Sequence, residues 1–191
     1  LDLLIEQVLN EELPPLGVKK YPSVNRFDNN KDKDKVYTPK EVAEDCFNLI
    51  KYKIKPGDNL YEPFYGKGVF YDLFGDNPKQ YTEIDLGLDF FEAPNDLHVD
   101  YIITNPPYSI MSDILKKLIQ MDNLKGFCLL VNNLTLTPPR LHKLEENGFY
   151  PTDLHMFKIK SWFGYQYFYF FEKLDSKPMT NITYRKSQYN Y

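Results

Sequence analysis

Short apolar runs alternate with stretches of helical periodicity along most of this chain. Residues 59–62, 80–84, 100–104 and 126–131 read as strands. The last, Gly-Phe-Cys-Leu-Leu-Val, is continuously apolar, as a parallel strand covered on both faces requires. Val42, Ala43, Cys46, Phe47 and Ile50 share one helical face, which predicts a helix running to about residue 52. Thr38-Pro39-Lys40-Glu41 predicts its start, with Thr38 as N-cap, Pro39 at the first helical position and Glu41 closing a capping box. Ile110, Ile114, Leu115, Leu118 and Ile119 predict a second helix over 109–122, with Asp113, Lys116, Lys117 and Gln120 on its polar face. Thr137, Pro138 and Gly148 bracket a third. Segments 153–160 and 166–173 flank Ser161-Trp162-Phe163-Gly164, the pattern of an antiparallel hairpin. The expected class is α/β: a sheet with helices on both faces, closed by a C-terminal hairpin.

Three segments follow from this pattern. Leu3, Leu4, Ile5, Val8 and Leu9 predict an amphipathic helix ended by Pro14-Pro15, so residues 1–25 read as an N-terminal helical packing arm. Residues 29–35 alternate in charge and read as a solvated loop. Residues 26–175 form one domain, and 176–191 form a polar tail expected to fray.

Composition narrows the picture. A 191-residue chain that is 42% hydrophobic can bury one sizeable core. Its net charge of −4 argues against a strong non-specific grip on nucleic acid, so any such contact must come from a local patch. Cys46 and Cys128 stand in apolar company without metal-ligand spacing, so no metal site is expected. No apolar run approaches the ~20 residues of a membrane span and no signal peptide is visible. An intracellular protein with no membrane partner is the expectation.

The candidate chemistry centres on Asn105-Pro106-Pro107-Tyr108, directly after the β-branched run Ile102-Ile103-Thr104. Proline lacks an amide hydrogen and fixes its own φ, so the strand ends there in a stiff turn. In an open α/β sheet the carboxyl edge is where ligands bind. The Asn105 side-chain carbonyl and the Pro106 carbonyl can both accept hydrogen bonds from one planar amino group, while the Tyr108 ring stacks on the attached system. Gly66 and Gly68, after a strand, let the backbone approach a ligand closely. Gly-x-Gly with Tyr71 at the next fingerprint position is a poor match to a dinucleotide loop. Glu83 and Asp85, at the end of the second strand, can each bind a pair of ribose hydroxyls.

With these residues quoted, the chain resembles the S-adenosylmethionine-dependent amino-methyltransferases, in particular the adenine-N6 DNA methyltransferases, over about residues 37–173. The resemblance implies a Rossmann-like class I methyltransferase sheet and S-adenosyl-L-methionine as cofactor. It assigns Asn105, Pro106, Pro107 and Tyr108 to catalysis, with Asn105 also beside the cofactor. Tyr37-Thr38-Pro39 resembles the family's first motif, at the methionine end of the cofactor. Glu62-Pro63-Phe64 with Gly66 and Gly68 resembles its cofactor loop, with Glu62 accepting from the ammonium group. Glu83-Ile84 resembles the ribose-binding position, with Asp85 the alternative. Asp89-Phe90 resembles the adenine-binding turn. Phe163, then Trp162 and Tyr165, stand where the family places an aromatic against the target base.

The chain departs from the fuller pattern in two ways. Glu83 and Asp89 lie too close together for the usual intervening helix and third strand. Nor is there room for a target-recognition domain, so a separate subunit or a loop such as 20–36 would read the sequence. The implied reaction is methylation of adenine N6 in DNA. The alternatives are an RNA base amine or a protein glutamine amide, and, in another class, a methyltransferase-like binding subunit without activity.

Overall fold

The computed structural model describes residues 36–178 and 181–189. Seven strands form one sheet: β1 (Leu60–Glu62), β2 (Lys79–Tyr81), β3 (Tyr101–Thr104), β4 (Gly126–Asn132), β5 (Phe149–Ile159), β6 (Gln166–Lys173) and β7 (Asn181–Tyr189). Their spatial order is β2-β1-β3-β4-β6-β5-β7. The first four are parallel neighbours. β6 then runs antiparallel between β4 and β5, and β7 lies parallel to β5 at the edge. The expected α/β sheet with a C-terminal hairpin is therefore present. β7 arises within the tail expected to fray, and β5 begins four residues before the predicted 153. The predicted helical arm and most of the 20–36 loop lie outside the described residues.

Strand alternation sends successive side chains to opposite faces, and both faces are covered. Ile102, Phe127, Leu129, Val131, Tyr169 and Phe171 face one side, against Met111, Ile114, Leu115 and Leu118 of α2 (Met111–Gln120) and Leu144 of α3 (Pro138–Glu146). Leu60, Ile103, Cys128, Leu130, Phe168 and Phe170 face the other, against Val42, Ala43, Cys46 and Ile50 of α1 (Lys40–Ile50). Both cysteines are buried in this second cluster. A run apolar at every position, such as 127–131, follows from this two-sided burial.

Lys117 corrects the reading of α2. Placed on the polar face by spacing, it is only 8% exposed. Its Nζ donates to the Ala93 carbonyl at 2.5 Å and to Asn95 Oδ1 at 2.7 Å. Residues 82–100 hold neither an α-helix nor a named strand, only short helical turns at Ile84–Leu86 and Phe90–Glu92. This segment runs where the family pattern would place a helix and a third strand, and Lys117 fastens it to α2. β2 is left at the sheet's edge.

Candidate active site

β1 and β3 are parallel neighbours, so the chain leaves both at the same edge of the sheet. Pro63–Gly68 departs from one and Asn105–Tyr108 from the other. The 36–38 segment bridges them. Asn105 Nδ2 donates to Thr38 Oγ1 and to the Val36 carbonyl, each at 3.1 Å. The Tyr37 ring lies over Gly66, where an added Cβ would stand 3.3 Å from Tyr37 Cδ1. Lys67 Nζ sits 4.8 Å from the centre of that ring. Three segments far apart in sequence thus meet at one place.

Thr38 corrects an expectation. It does not cap α1: Pro39 holds the N-cap position, with no side-chain cap, and the predicted capping box is not formed. A hydroxyl has a limited set of bonds to make. That of Thr38, 8% exposed, accepts from Asn105 instead.

This bond orients the Asn105 amide. Its NH2 group is held by Val36 and Thr38, so Oδ1 is the end left to accept. In this structure the Tyr108 hydroxyl donates to Oδ1 at 3.3 Å and approaches the Leu130 carbonyl at 3.5 Å. The Tyr108 ring is half-buried against the α2-side core. Pro106 is buried and Pro107 holds φ −66° and ψ 122°, so the corner is rigid.

Glu62 is 2% exposed at the end of β1. Its Oε2 accepts from the Tyr71 backbone N–H at 2.8 Å. Burial pushes its carboxyl up to about 8, against the lowering effect of the Tyr71 amide. Gly66 (φ 53°) and Gly68 (φ 70°) turn the loop through the left-handed region. A Cβ at Gly68 would stand 2.5 Å from the Tyr65 ring. Pro63 is buried, and its carbonyl accepts from Thr82 Oγ1 at 2.8 Å.

Glu83, not Asp85, reaches the glycine loop. Its Oε2 accepts from Gly66 N–H at 2.7 Å and its Oε1 from Asp85 N–H at 3.3 Å, while Asp85 is exposed. Ile84 is half-buried beside it. Asp89 Oδ1 accepts from Phe91 N–H at 2.9 Å and caps its own turn. Phe90 is 2% exposed and packs edge-on against Phe64, ring centres 5.4 Å apart. A cleft of about 290 Å³ opens beside Asp89, lined also by Tyr61, Thr82, Leu88, Glu92 and Leu97.

The hairpin aromatics divide. Phe163 and Tyr165 are exposed, whereas Trp162 packs against the α1-side core. Their turn is braced by residues that sequence reasoning did not single out. Lys158 Nζ donates to the Trp162 carbonyl and, at 2.5 Å, to that of Gly164. Gln166 Nε2 donates to the Phe163 carbonyl at 3.1 Å. Nothing in local spacing marks these contacts; the only hint is a lysine and a glutamine at opposite ends of a glycine turn.

No family model and no curated protein sequence matches the chain. Solved structures do. A protein of Pyrococcus horikoshii provisionally named an RNA methyltransferase superposes with a TM-score of 0.58 at 19% identity, covering 72% of this chain and 86% of its own. One of Listeria monocytogenes, provisionally named a class I S-adenosylmethionine-dependent methyltransferase, gives 0.58 at 12% identity, covering 84% of this chain and 70% of its own.

The fold is that of a class I methyltransferase.

A chain of the Mtq2–Trm112 complex of E. cuniculi, responsible for methylation of the termination factor eRF1, gives 0.50 at 14% identity, covering 73% of this chain and 98% of its own. At such identities the likeness speaks for the fold alone. In a class I methyltransferase fold the edge bearing Asn105 and Gly66 is the carboxyl edge of the parallel strands, where α/β folds bind ligands. Among the described residues, no helix is long and apolar enough to cross a membrane.

Proposed function

We propose that this chain is an S-adenosylmethionine-dependent N-methyltransferase, acting on the exocyclic N6 amine of adenine in DNA. The observation that carries this reading is the Asn105 amide, oriented by Val36 and Thr38 so that Oδ1 accepts, beside the Gly66 loop.

The residues present fit the cofactor's chemistry. A buried carboxylate at Glu62 suits an ammonium group, which would favour its charged form. Tyr37 and Glu83 meet Gly66 in the loop that follows, Gly68 turns that loop, Thr38 holds the adjacent Asn105, and Asp89 lines a cleft beside Thr82. Bound there, S-adenosylmethionine would supply an electrophilic methyl group on a sulfonium.

The chain's own work is positioning. An amine conjugated to a ring is a poor nucleophile, because its lone pair is delocalised. Asn105 Oδ1 and the Pro106 carbonyl, each accepting one N–H, favour a pyramidal nitrogen with an available lone pair. The amine displaces the Tyr108 hydroxyl from Oδ1, and the Tyr108 ring offers an aromatic face worth about 1–3 kcal/mol per base. With the cofactor bound, the nitrogen's lone pair would take the methyl as the methyl–sulfur bond breaks and its electron pair stays on sulfur as a neutral thioether. The surplus proton on nitrogen would leave to water, so no strong general base is required. Orientation of this kind can supply about 7–11 kcal/mol of the barrier. A base in a duplex must first flip out, at a few kcal/mol.

A second reading, an RNA base amine or a protein glutamine amide, rests on the same planar NH2 and on the neighbours named above for RNA and termination-factor methylation. A binding subunit without activity has less to support it, because the Glu62-to-Gly68 loop retains its cofactor-compatible form. The test is incubation with methyl-labelled S-adenosylmethionine and DNA, RNA and protein substrates, followed by digestion. Label in N6-methyladenine from DNA is expected. Label only in RNA or in glutamine would move the assignment to that substrate, and none anywhere would end it.

A further inference from the structure

Two loops interlock beside the proposed site. Asn133 N–H donates to the Tyr165 carbonyl at 3.0 Å. Asn133 Oδ1 lies where a Cβ on Gly164 would stand, 2.5 Å away, and Gly164 holds φ 66°. Asn132 Oδ1 accepts from Leu134 N–H at 2.9 Å and from Thr135 Oγ1 at 2.8 Å, fixing the other loop. Arg140 Nη1 donates to the Thr135 carbonyl at 2.6 Å. With Lys158 and Gln166 bracing the turn from within, this is a stiff double loop.

That stiffness holds apolar side chains in water. Leu134 is 63% exposed, Phe163 78% and Tyr165 61%. Rigid, clustered apolar exposure marks a binding face. The charge around it is distinctive. Residues 126–144 and 154–171 contain no Asp or Glu, in a chain with 27 acidic residues, but they do contain Arg140, Lys143, Lys158 and Lys160. Lys143 pairs with Glu146 at 3.8 Å and Lys158 is held by the turn carbonyls, so Arg140 and Lys160 are the cations these loops add beside the aromatics, on a protein of net charge −4.

We propose that the Leu134–Phe163–Tyr165 rim binds an unpaired nucleic-acid strand, whose bases beside the target stack on it. A duplex presents phosphates and groove edges but no base faces, so it would leave these three side chains in water. An unpaired strand offers both base faces for the rim and phosphates for Lys160 and its neighbours. The proposal deepens the functional reading and rests on it for the delivery of a base amine to Asn105, which lies near: the Tyr108 hydroxyl that reaches Asn105 also approaches Leu130, two residues before Asn132.

The test is fluorescence anisotropy of the full chain with a labelled mixed-sequence DNA strand, alone and annealed to its complement. The single strand is expected to bind at least about tenfold tighter, and Phe163→Ala with Tyr165→Ala to weaken it about 5- to 100-fold. These side chains are exposed, so thermal unfolding should not change; Leu134→Asn provides an independent variant expected to act in the same direction. Equal affinity for both forms, indifference to all three substitutions, or no binding of either form would overturn the rim assignment. Methyl transfer is scored separately. Duplex methylation without rim-dependent strand binding would refute the rim and leave the functional reading standing. Rim-dependent binding with no methyl acceptor found would do the reverse.

Discussion

Thr38→Val isolates the bond that orients the Asn105 amide, the group proposed to hold the acceptor amine. The substitution keeps the branched shape of a side chain that is 8% exposed, and removes the hydroxyl at 3.1 Å from Asn105 Nδ2. The second hydrogen bond, to the Val36 carbonyl, remains. A typical intramolecular hydrogen bond contributes about 0.5–1.5 kcal/mol net. If it serves mainly to hold Oδ1 in the accepting position, that energy appears in the barrier, about a 2- to 13-fold loss at 1.36 kcal/mol per decade. Methyl transfer measured at saturating cofactor and acceptor should fall by that factor, with cofactor affinity nearly unchanged. Thr38→Ser, which keeps the oxygen, should recover most of the rate. An unchanged rate in the valine variant, or a serine variant as slow as it, would refute the positioning role. A loss of cofactor affinity equal to the loss of rate would move Thr38 from the amide to the cofactor.

Tyr108→Phe removes a hydroxyl that the incoming amine must displace but keeps the ring, so turnover should stay within a few-fold of the parent whereas Tyr108→Ala loses it; equal losses would contradict the division between ring and hydroxyl. Glu62, with its carboxyl raised to about 8 by burial, is largely protonated at pH 7, and a bound ammonium favours the ionised form. Cofactor binding at pH 7 should therefore release a proton, seen as a calorimetric enthalpy that varies with the buffer's ionisation heat, and the effect should vanish above about pH 9. The same shift bears on stability: the folded value lies above the ordinary glutamate value of 4.5, so the folded state holds the extra proton and stability falls as pH rises from about 4.5 to 8. Glu62→Gln should flatten that slope in thermal unfolding. Lys117→Met leaves the Ala93 carbonyl and Asn95 Oδ1 without their cation, which should destabilise the fold by about 1–3 kcal/mol and speed amide exchange over residues 89–95; protection equal to the parent would contradict the fastening.

Much of the architecture could be read from the sequence, because it depends on periodicity. The continuous run at 126–131 fixes a strand buried on both faces, and β6 starts at Gln166, just past the glycine turn at 164, and runs to Lys173 as expected. What escaped depends on partners distant in sequence. Thr38 before a proline has every local mark of a cap, yet its hydroxyl answers to Asn105, 67 positions away. Lys117 obeys the polar spacing of α2 until the 82–100 segment folds over it. The exposed Leu134 looks like an ordinary apolar loop residue until Asn133 and Tyr165 bring its loop to the hairpin. Within the site, the pattern named both acidic candidates after β2; only the fold distinguishes Glu83, bonded to Gly66, from exposed Asp85.

The account depends on a cofactor seat formed where the Gly66 loop meets the Asn105 corner. Calorimetric titration with S-adenosylmethionine measures it directly. One saturable site is predicted, weakened about tenfold or more (1.36 kcal/mol per decade) by Glu62→Ala and nearly unaffected by Asn105→Ala, which should nonetheless abolish methyl transfer. Absence of binding heat across temperature and concentration, or binding indifferent to Glu62, would contradict it.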